Sequence, residues 1–442
     1  MTSRNIQIFP SNKTTDGTYS FSGGQAQVTF DIPAGAYLLD PDSLRICGDF
    51  QVFKNEARDP PLPADLLTMN NRIGVLGCFQ QLIWKSLKHQ SVIEHNKHYN
   101  RWCSSYYSLV SNIDDQIGYL SQSLLTLPDY NSFKNSVVDK TVSQEFCCNL
   151  PCGLMNQGRS INIMPNALGG LSLTIMLESD ANALQVLPAD DDTAPDTTNF
   201  TTAYYELSHL SLICKVITPS PEDVSRLMKQ SSGTMTLQTI HSYYDTAQSS
   251  NIQLAMNLGL RKVKSLFMNF ISSSDLNNLS EDGFATLMPC NLDGSLANVK
   301  SIQFLKGGIS YPKHYPNDTN YERDNNSILA DPEIVKDYLN AVSPWDTNRS
   351  TLMSSVTSNR FVNIATNGKG IPYQFVNNGG VVWGIGLNYE NFLGGEGIDM
   401  NGVQLGLNMD TELTSANAQS IFIFVNAETN IVWNENGVQV IN

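Results

Sequence analysis

Long hydrophobic runs, a secretory signal and a high content of charged residues are all missing from this sequence of 442 residues. No stretch approaches the roughly 20 apolar residues that a helix needs to cross a bilayer. The first 25 residues lack an apolar core behind a basic start, which is the pattern of a signal peptide. We therefore expect a protein that is made inside a cell and is not secreted.

Basic residues are also scarce. Lys and Arg number 27 against 42 Asp and Glu, so the formal net charge is −15. Neutralising nucleic-acid phosphates requires clustered Lys and Arg, and the first 15 residues hold only Arg4 and Lys13. We expect no direct sequence-specific nucleic-acid binding. The low charged fraction, 16%, is typical of chains with large protein–protein contacts, because charge is depleted in interface cores.

The eight cysteines follow no regular spacing, which is typical of free thiols in an intracellular protein. The nearest approach to a metal site combines Cys148 and Cys152 with the upstream His95, His98 and Cys103. Zinc sites usually need two closely spaced ligand pairs, and no second pair follows here. Although His95 and His98 would both face a metal from one turn of a predicted helix, we interpret them as solvent-side residues and the cysteines as buried thiols.

Signatures of catalysis are missing too. There is no Gly-x-Ser-x-Gly elbow and no Cys-centred motif. The Gly-rich segments 367–370 and 393–397 lack phosphate-loop spacing and indicate hairpin turns. The acidic run 190–192 indicates a solvated loop in preference to a cation site. The aromatic residues Trp102, Tyr106 and Tyr107 have helical spacing, which favours helix core over a platform that stacks bases or sugars. We predict no catalytic, cofactor-binding or metal-ligating residue, and no enzyme.

The sequence does contain strand periodicity, in two successive halves. Apolar and polar residues alternate in many short segments, among them 28–32, 44–52, 171–177, 252–258, 383–389 and 403–409. Alternation with a period of two predicts strands with one buried face. Each half closes on long aliphatic strands, at 204–216 in the first half and within 420–441 in the second. Many such strands in about 200 residues predict a sandwich, a barrel or a jelly roll.

The predicted domains are residues 1–218 and 233–442, joined by a linker helix within 219–232. Ser220 is its expected N-cap and Pro221 its first helical residue. Two further helices are predicted at about 94–110 and 331–342. Long loops are expected at 55–67, 180–202 and 312–327. The predicted fold class is therefore all-β, with a few short helices in loops and linker.

Four segments carry a resemblance to a known family. They are 77–87 with 92–94 and the pair Tyr99-Asn100, the closing strand 205–212, the segment 302–312 that ends in Tyr-Pro, and the closing strands 420–442. Their order resembles the double jelly-roll major capsid proteins of the tectivirus–adenovirus lineage of DNA viruses. Within that lineage the similarity is to the branch of virophages, Polinton-like viruses and adintoviruses.

The resemblance implies two tandem eight-stranded jelly rolls and a structural role in the virion. Three chains would form a homotrimer with six jelly rolls, a pseudo-hexameric capsomer that tiles an icosahedral shell. The implied partners are further copies of the chain, neighbouring capsomers, penton and minor capsid proteins, and an internal membrane where the virus has one.

Two other functions remain open on the sequence alone. A viral spike or a lectin-like β-sandwich module would use the same class of fold. A cupin-like or zinc-dependent enzyme would need several histidines converging inside one barrel. Of the six histidines, only His209 lies in a clearly predicted strand.

Overall fold

The structure is a computed structural model, and it describes the chain in segments. They are residues 2–61, 67–70, 73–110, 123, 125, 142–155, 163–186, 196–223, 225, 232–284, 301–310, 338, 340–342, 385–388, 397–411, 418–434 and 437–441. Most of the regular structure in these segments is antiparallel β-sheet.

The first half forms two facing sheets. Its strands are β1 (Thr2–Ile8), β2 (Thr18–Tyr19), β3 (Gln27–Ile32), β4 (Leu38–Phe53), β5 (Leu67–Met69), β6 (Phe79–Ser86), β7 (Val92–Asn96), β8 (Gln144–Asn149), β9 (Leu171–Leu177), β10 (Leu184–Val186) and β11 (Tyr204–Thr218). One sheet has the order β1-β11-β4-β8, with β2 beside β11, and the other has the order β3-β9-β6-β7. Strands β5 and β10 form a small separate pair.

The second half repeats this arrangement. Its strands are β12 (Gly233–Ala247), β13 (Asn251–Asn257), β14 (Val263–Ser272), β15 (Ser301–Lys306), β16 (Ile309–Ser310), β17 (Ile385–Asn388), β18 (Gln404–Asp410), β19 (Gln419–Asn434) and β20 (Gly437–Ile441). One sheet has the order β12-β19-β14-β17, with β20 beside β19, and the other has the order β13-β18-β15-β16.

The two halves share one strand order. In each, the first, eighth, third and sixth main strands form one sheet, and the second, seventh, fourth and fifth form the other. This order is that of a jelly roll. The prediction of two tandem eight-stranded jelly rolls is therefore confirmed, although the two halves share no sequence pattern that reveals their equivalence.

Alternating apolar residues form the strands because one face of each meets the facing sheet. In β13 the buried residues Ile252, Leu254 and Met256 alternate with exposed ones along the whole strand. In β9 nearly every residue is buried, since this strand lies inside its sheet and is covered on both faces. The turn between β15 and β16 uses Gly307 and Gly308, whose φ values of +55° and +88° suit glycine.

Two sequence predictions need correction. The helix expected at about 94–110 is α1 (Tyr99–Val110); residue 94 lies in β7 instead, because Val92 and Ile93 begin a strand that pairs with β6. The loop expected at 180–202 contains a short helix, α2 (Asp180–Ala183), followed by β10. The closing strands expected within 420–441 are β19, which runs without interruption over Gln419–Asn434, and the short β20.

The other predicted helices lie partly outside the described residues. Residues 221–223 and 225 are helical, and the backbone N–H of Asp223 donates to Ser220 Oγ at 3.2 Å, so Ser220 is the N-cap as predicted. The expected end near residue 230 is outside the described residues. Residues 338 and 340–342 are helical, whereas the expected start at 331 is not described. The predicted loops at 190–192, 312–327, 367–370 and 393–396 also fall outside.

One disulfide contradicts the expectation of free thiols. Cys47 on β4 and Cys147 on β8 face each other across neighbouring antiparallel strands and are bonded. The remaining described cysteines are free and buried, namely Cys78, Cys103, Cys148, Cys152 and Cys214. Spacing along the sequence does not reveal such a pair, because 100 residues separate its members. Of the helices described, none combines the length and the apolar character that a membrane span requires.

Candidate functional site

The residues that most resembled a metal site are held apart by the fold. His95 lies in β7, and His98 lies in the turn before α1, so the expectation that both share a helix face is wrong. His95 Nε2 is 3.0 Å from Gln81 Oε1. Cys148 and Cys152 are buried thiols. Within the described part of the chain, no three His, Cys, Asp or Glu side chains are grouped so that they could hold a metal.

His98 is half-buried, which corrects its interpretation as a solvent-side residue. Its ring packs edge-on against Phe422 at 5.0 Å between centroids and lies 6.0 Å from the Tyr244 ring. Burial, together with the nearby Arg101, lowers the pKa of His98 to about 4. The imidazole is therefore neutral at pH 7 and acts as an aromatic packing residue between the two jelly rolls.

The aromatic run on α1 is helix core, as predicted for Trp102. The rings of Tyr99 and Trp102 stack at 6.2 Å, and those of Trp102 and Tyr106 stack at 4.9 Å. Tyr99 and Trp102 are fully buried, while Tyr106 and Tyr107 are partly buried against the same core. Rings that are already stacked on each other inside the protein leave no face of Trp102 for a base or a sugar.

His209 points away from the barrel that a cupin-like enzyme would need. It lies at an irregularity in the pairing of β11 with β4, with φ +50°, and its side chain is 83% exposed. Its Nδ1 is 2.8 Å from Asp49 Oδ2. A bulge of this kind turns a side chain out of the regular alternation, so His209 faces solvent.

Several buried polar groups lie where the two jelly rolls meet. We call this contact the seam; it joins β7, α1 and residues 150–155 of the first half to β12, β14, β19 and residues 273–284 of the second. The apolar cluster of the first jelly roll continues across it to include Leu237, Ile240, Phe267, Phe422 and Trp433. The seam is therefore a packed interior and not a wet surface contact.

Glu94 is at the centre of the seam. Its carboxylate accepts backbone N–H groups from Gly153 at 2.8 Å and Leu154 at 2.7 Å, and from Ile240 of β12 at 3.4 Å. Burial raises the pKa of Glu94 to about 7, while these three hydrogen bonds act in the opposite direction. One acidic side chain thus binds backbone from both jelly rolls, and it is half-protonated near neutral pH.

Arg101, on α1, is also buried. Its Nη1 donates to the Gly283 carbonyl, and its guanidinium lies over the rings of Phe284 at 4.9 Å and Phe422 at 4.5 Å. Burial lowers its pKa, whereas the nearby Glu178 raises it. Guanidinium groups stay charged in proteins, so a cation from the first jelly roll is enclosed by aromatic rings of the second.

Further directional contacts complete the seam. Asn269 Nδ2 on β14 donates to Ser105 Oγ on α1 at 2.5 Å, and the Tyr338 hydroxyl donates to Asn269 Oδ1 at 2.7 Å. The Lys97 backbone N–H donates to Ser242 Oγ on β12 at 2.7 Å. Such bonds restrict rotation and sliding, because hydrogen bonds are directional whereas apolar contacts are not. The arrangement is suited to holding two sandwiches at one angle.

Sequence reasoning missed this seam. One signal was present: Glu94 is an acidic residue inside an apolar strand segment, Val92-Ile93-Glu94. An acidic residue is almost never fully buried without a partner. Glu94 would therefore have been a candidate for a specific buried contact if the segment had been interpreted as a strand.

Comparison with known proteins shows similarity in fold only. No protein-family model matches the chain, and no curated protein sequence matches it. Among solved structures, the quasi-atomic model of the PBCV-1 virus capsid has a TM-score of 0.58 at 12% identity, covering 100% of this chain and 96% of that one. The Sputnik virophage structure has a TM-score of 0.58 at 11% identity, covering 100% and 88%.

The Faustovirus major capsid protein gives a similar result. Its TM-score is 0.58 at 9% identity, and the alignment covers 98% of this chain and 90% of that one. All three alignments extend over nearly the whole chain and not over one jelly roll alone. The chain therefore has the double jelly-roll fold of these capsid proteins.

Proposed function

We propose that the chain is a major capsid protein that forms homotrimeric, pseudo-hexameric capsomers and tiles an icosahedral virion shell. The observation that supports this function best is the fusion of two jelly rolls of identical strand order through a rigid seam. A trimer of such chains presents six similar units, which pack in a hexagonal array without true six-fold symmetry. The fold shared with the PBCV-1, Sputnik and Faustovirus proteins along the whole chain supports the same function.

The role is structural and not enzymatic. The similar proteins above are shell components, which also favours a shell over a spike or a lectin-like module. Association would bury several thousand square ångströms, as in other obligate oligomers. The net charge of −15 would keep free trimers soluble before assembly.

The proposed domains are residues 1–218 and 233–442, each a jelly roll, with the capped helix that begins after Ser220 as the linker. The proposed partners are further copies of this chain first, then neighbouring capsomers, penton proteins and minor capsid proteins. An internal membrane beneath the shell is a further proposed partner. The proposed location is the virion, after synthesis inside the host cell.

Native mass tests this function directly. Light scattering on a sizing column should give about 146 kDa, three times the 48.8 kDa of the chain. Electron microscopy of concentrated trimer should then show hexagonal arrays. A chain that stays monomeric at high concentration would contradict the capsomer and favour the spike or lectin alternative.

A further inference from the structure

The seam joins two particular sheet edges. In the first jelly roll, β7 is the fifth main strand and forms the edge of its sheet; in the second, β12 is the first main strand and forms the edge of its sheet. The outward N–H of Ile240 on β12 is bound by Glu94 of β7, and Ser242 of β12 accepts from the backbone next to β7. The chain therefore already contains one contact between a fifth-strand edge and a first-strand edge.

The shared strand order identifies the two equivalent edges that remain. The first main strand of the first jelly roll is β1, and the fifth main strand of the second is β16. Strand β1 pairs with β11 at all seven positions along one side, and it has no strand on its other side among the described residues. Strand β16 likewise pairs only with β15 within the described part of the chain.

Both edges are exposed. In β1 all residues except Ile6 and Ile8 are exposed, and Phe9, directly after it, is 56% exposed. Gly307 and Gly308 of the β15–β16 turn are exposed, and so is Ser310 of β16. Strand β1 contains no proline and only one charged residue, Arg4, so it lacks the usual protection against pairing with another chain.

We propose that the β1 edge of one copy docks against the β15–β16 hairpin of a neighbouring copy, repeating between chains the β7–β12 contact that joins the two jelly rolls within a chain. The inference rests on the proposed function and names its trimer contact. The occupant of the β1 edge is therefore a second copy of this chain.

The proposed contact connects different surfaces of identical chains, so it is heterologous. A heterologous contact generates a closed ring when the rotation it imposes divides a full turn, and an open filament otherwise. If the contact between chains repeats the rotation between the jelly rolls within a chain, three intramolecular seams and three intermolecular contacts alternate around one ring. Both kinds of contact then join a fifth-strand edge to a first-strand edge, which is why the trimer imitates a hexamer.

A cross-linking experiment tests the contact in the full-length chain. Two differently tagged batches carry Asn5→Cys and Ser310→Cys respectively, are mixed under conditions that exchange subunits, and are treated with a short bismaleimide. Both positions are exposed, and the free native cysteines that the structure describes are buried. We expect cross-links that contain both tags. The control replaces Asn5→Cys by Gln253→Cys, on the exposed face of the β13 edge, and should give none.

An association measurement gives a second readout. Asn5→Arg adds bulk and charge at an exposed position, so the monomer should still fold while the dissociation constant of the trimer rises at least tenfold. Gln253→Arg should leave trimer dissociation unchanged. A trimer that forms without cross-links between positions 5 and 310, and that tolerates Asn5→Arg, would overturn the inference while leaving the capsomer intact. A monomeric wild-type chain would overturn both.

Discussion

Replacing Glu94 by Gln tests the electrostatics of the seam. The pKa of Glu94 is about 7 in the folded chain, whereas the ordinary value of a glutamate, which we take for the unfolded chain, is 4.5. A carboxyl whose pKa is raised by folding contributes most stability when it is protonated, so its contribution is present at low pH and is lost as pH rises through 7. Integrated from pH 5 to pH 8, this shift lowers the free energy of unfolding by roughly 2–3 kcal/mol.

The glutamine of Glu94→Gln cannot titrate, so the unfolding free energy of wild type minus that of the variant should fall by roughly 2–3 kcal/mol between pH 5 and pH 8. The subtraction cancels the contributions of His98 and His241 to the pH dependence of stability. Burial lowers the pKa of both to about 4, so their contribution to the free energy of unfolding rises with pH, opposite in sign to that of Glu94. Urea unfolding followed by tryptophan fluorescence provides the measurement, and Glu145→Gln, on exposed surface of β8, controls for loss of one charge. A difference that stays constant with pH would refute the reasoning, because it would mean that Glu94 is ionised throughout.

Three further perturbations test the seam and the disulfide. Gly153→Ala would place a Cβ 2.1 Å from a β12 carbonyl oxygen, so it should lower the free energy of unfolding by about 3 kcal/mol or more. Gly77→Ala is the control, because the Cβ added there would meet only atoms at 3.6 Å or farther. Arg101→Met removes the cation that faces two neighbouring carboxylates and should cost about 3 kcal/mol in urea unfolding; unchanged stability would show that the buried cation is dispensable. Alkylation of the denatured chain before reduction should leave Cys47 and Cys147 unmodified. Reduction should lower the free energy of unfolding by about 5 kcal/mol, because the bond closes a loop of about 100 residues. Modification of both thiols without reduction would contradict the bond.

The fold was accessible from the sequence because strand alternation is a local signal. Residues 252–258 and 403–409 reveal their buried faces without knowledge of their neighbours, and in the structure β13 pairs with β18 through those segments. The turn glycines at 307–308 are equally local, since positive φ favours glycine wherever it occurs. The boundary of α1 was less accessible: helical spacing from Tyr99 onward was correct, but nothing in residues 94–98 excludes one more helical turn.

The seam and the disulfide depend on contacts between distant residues, which one sequence does not reveal. Ser105 and Asn269 are 164 positions apart, and Glu94 and Ile240 are 146 apart. A polar residue that hydrogen-bonds across an interior and one that faces solvent look the same in a sequence. The equivalence of β1 with β12 is similarly hidden, because it resides in strand order and not in residue type.

The polar character of the seam suits the geometry that the proposed capsomer, a ring of six units, would require. An apolar contact alone would bury area but would leave the angle between the jelly rolls free to vary, since dispersion and hydrophobic contacts have little directional preference. Small angular errors accumulate around a ring, so six units close only if each junction has one geometry. Glu94 and Arg101 supply that constraint in every chain, because each is buried in the first jelly roll and bonded to backbone of the second. In the proposed trimer three of the six junctions would be fixed before association, so the proposed contacts between β1 and the β15–β16 hairpin would only have to complete a geometry that the chain already holds.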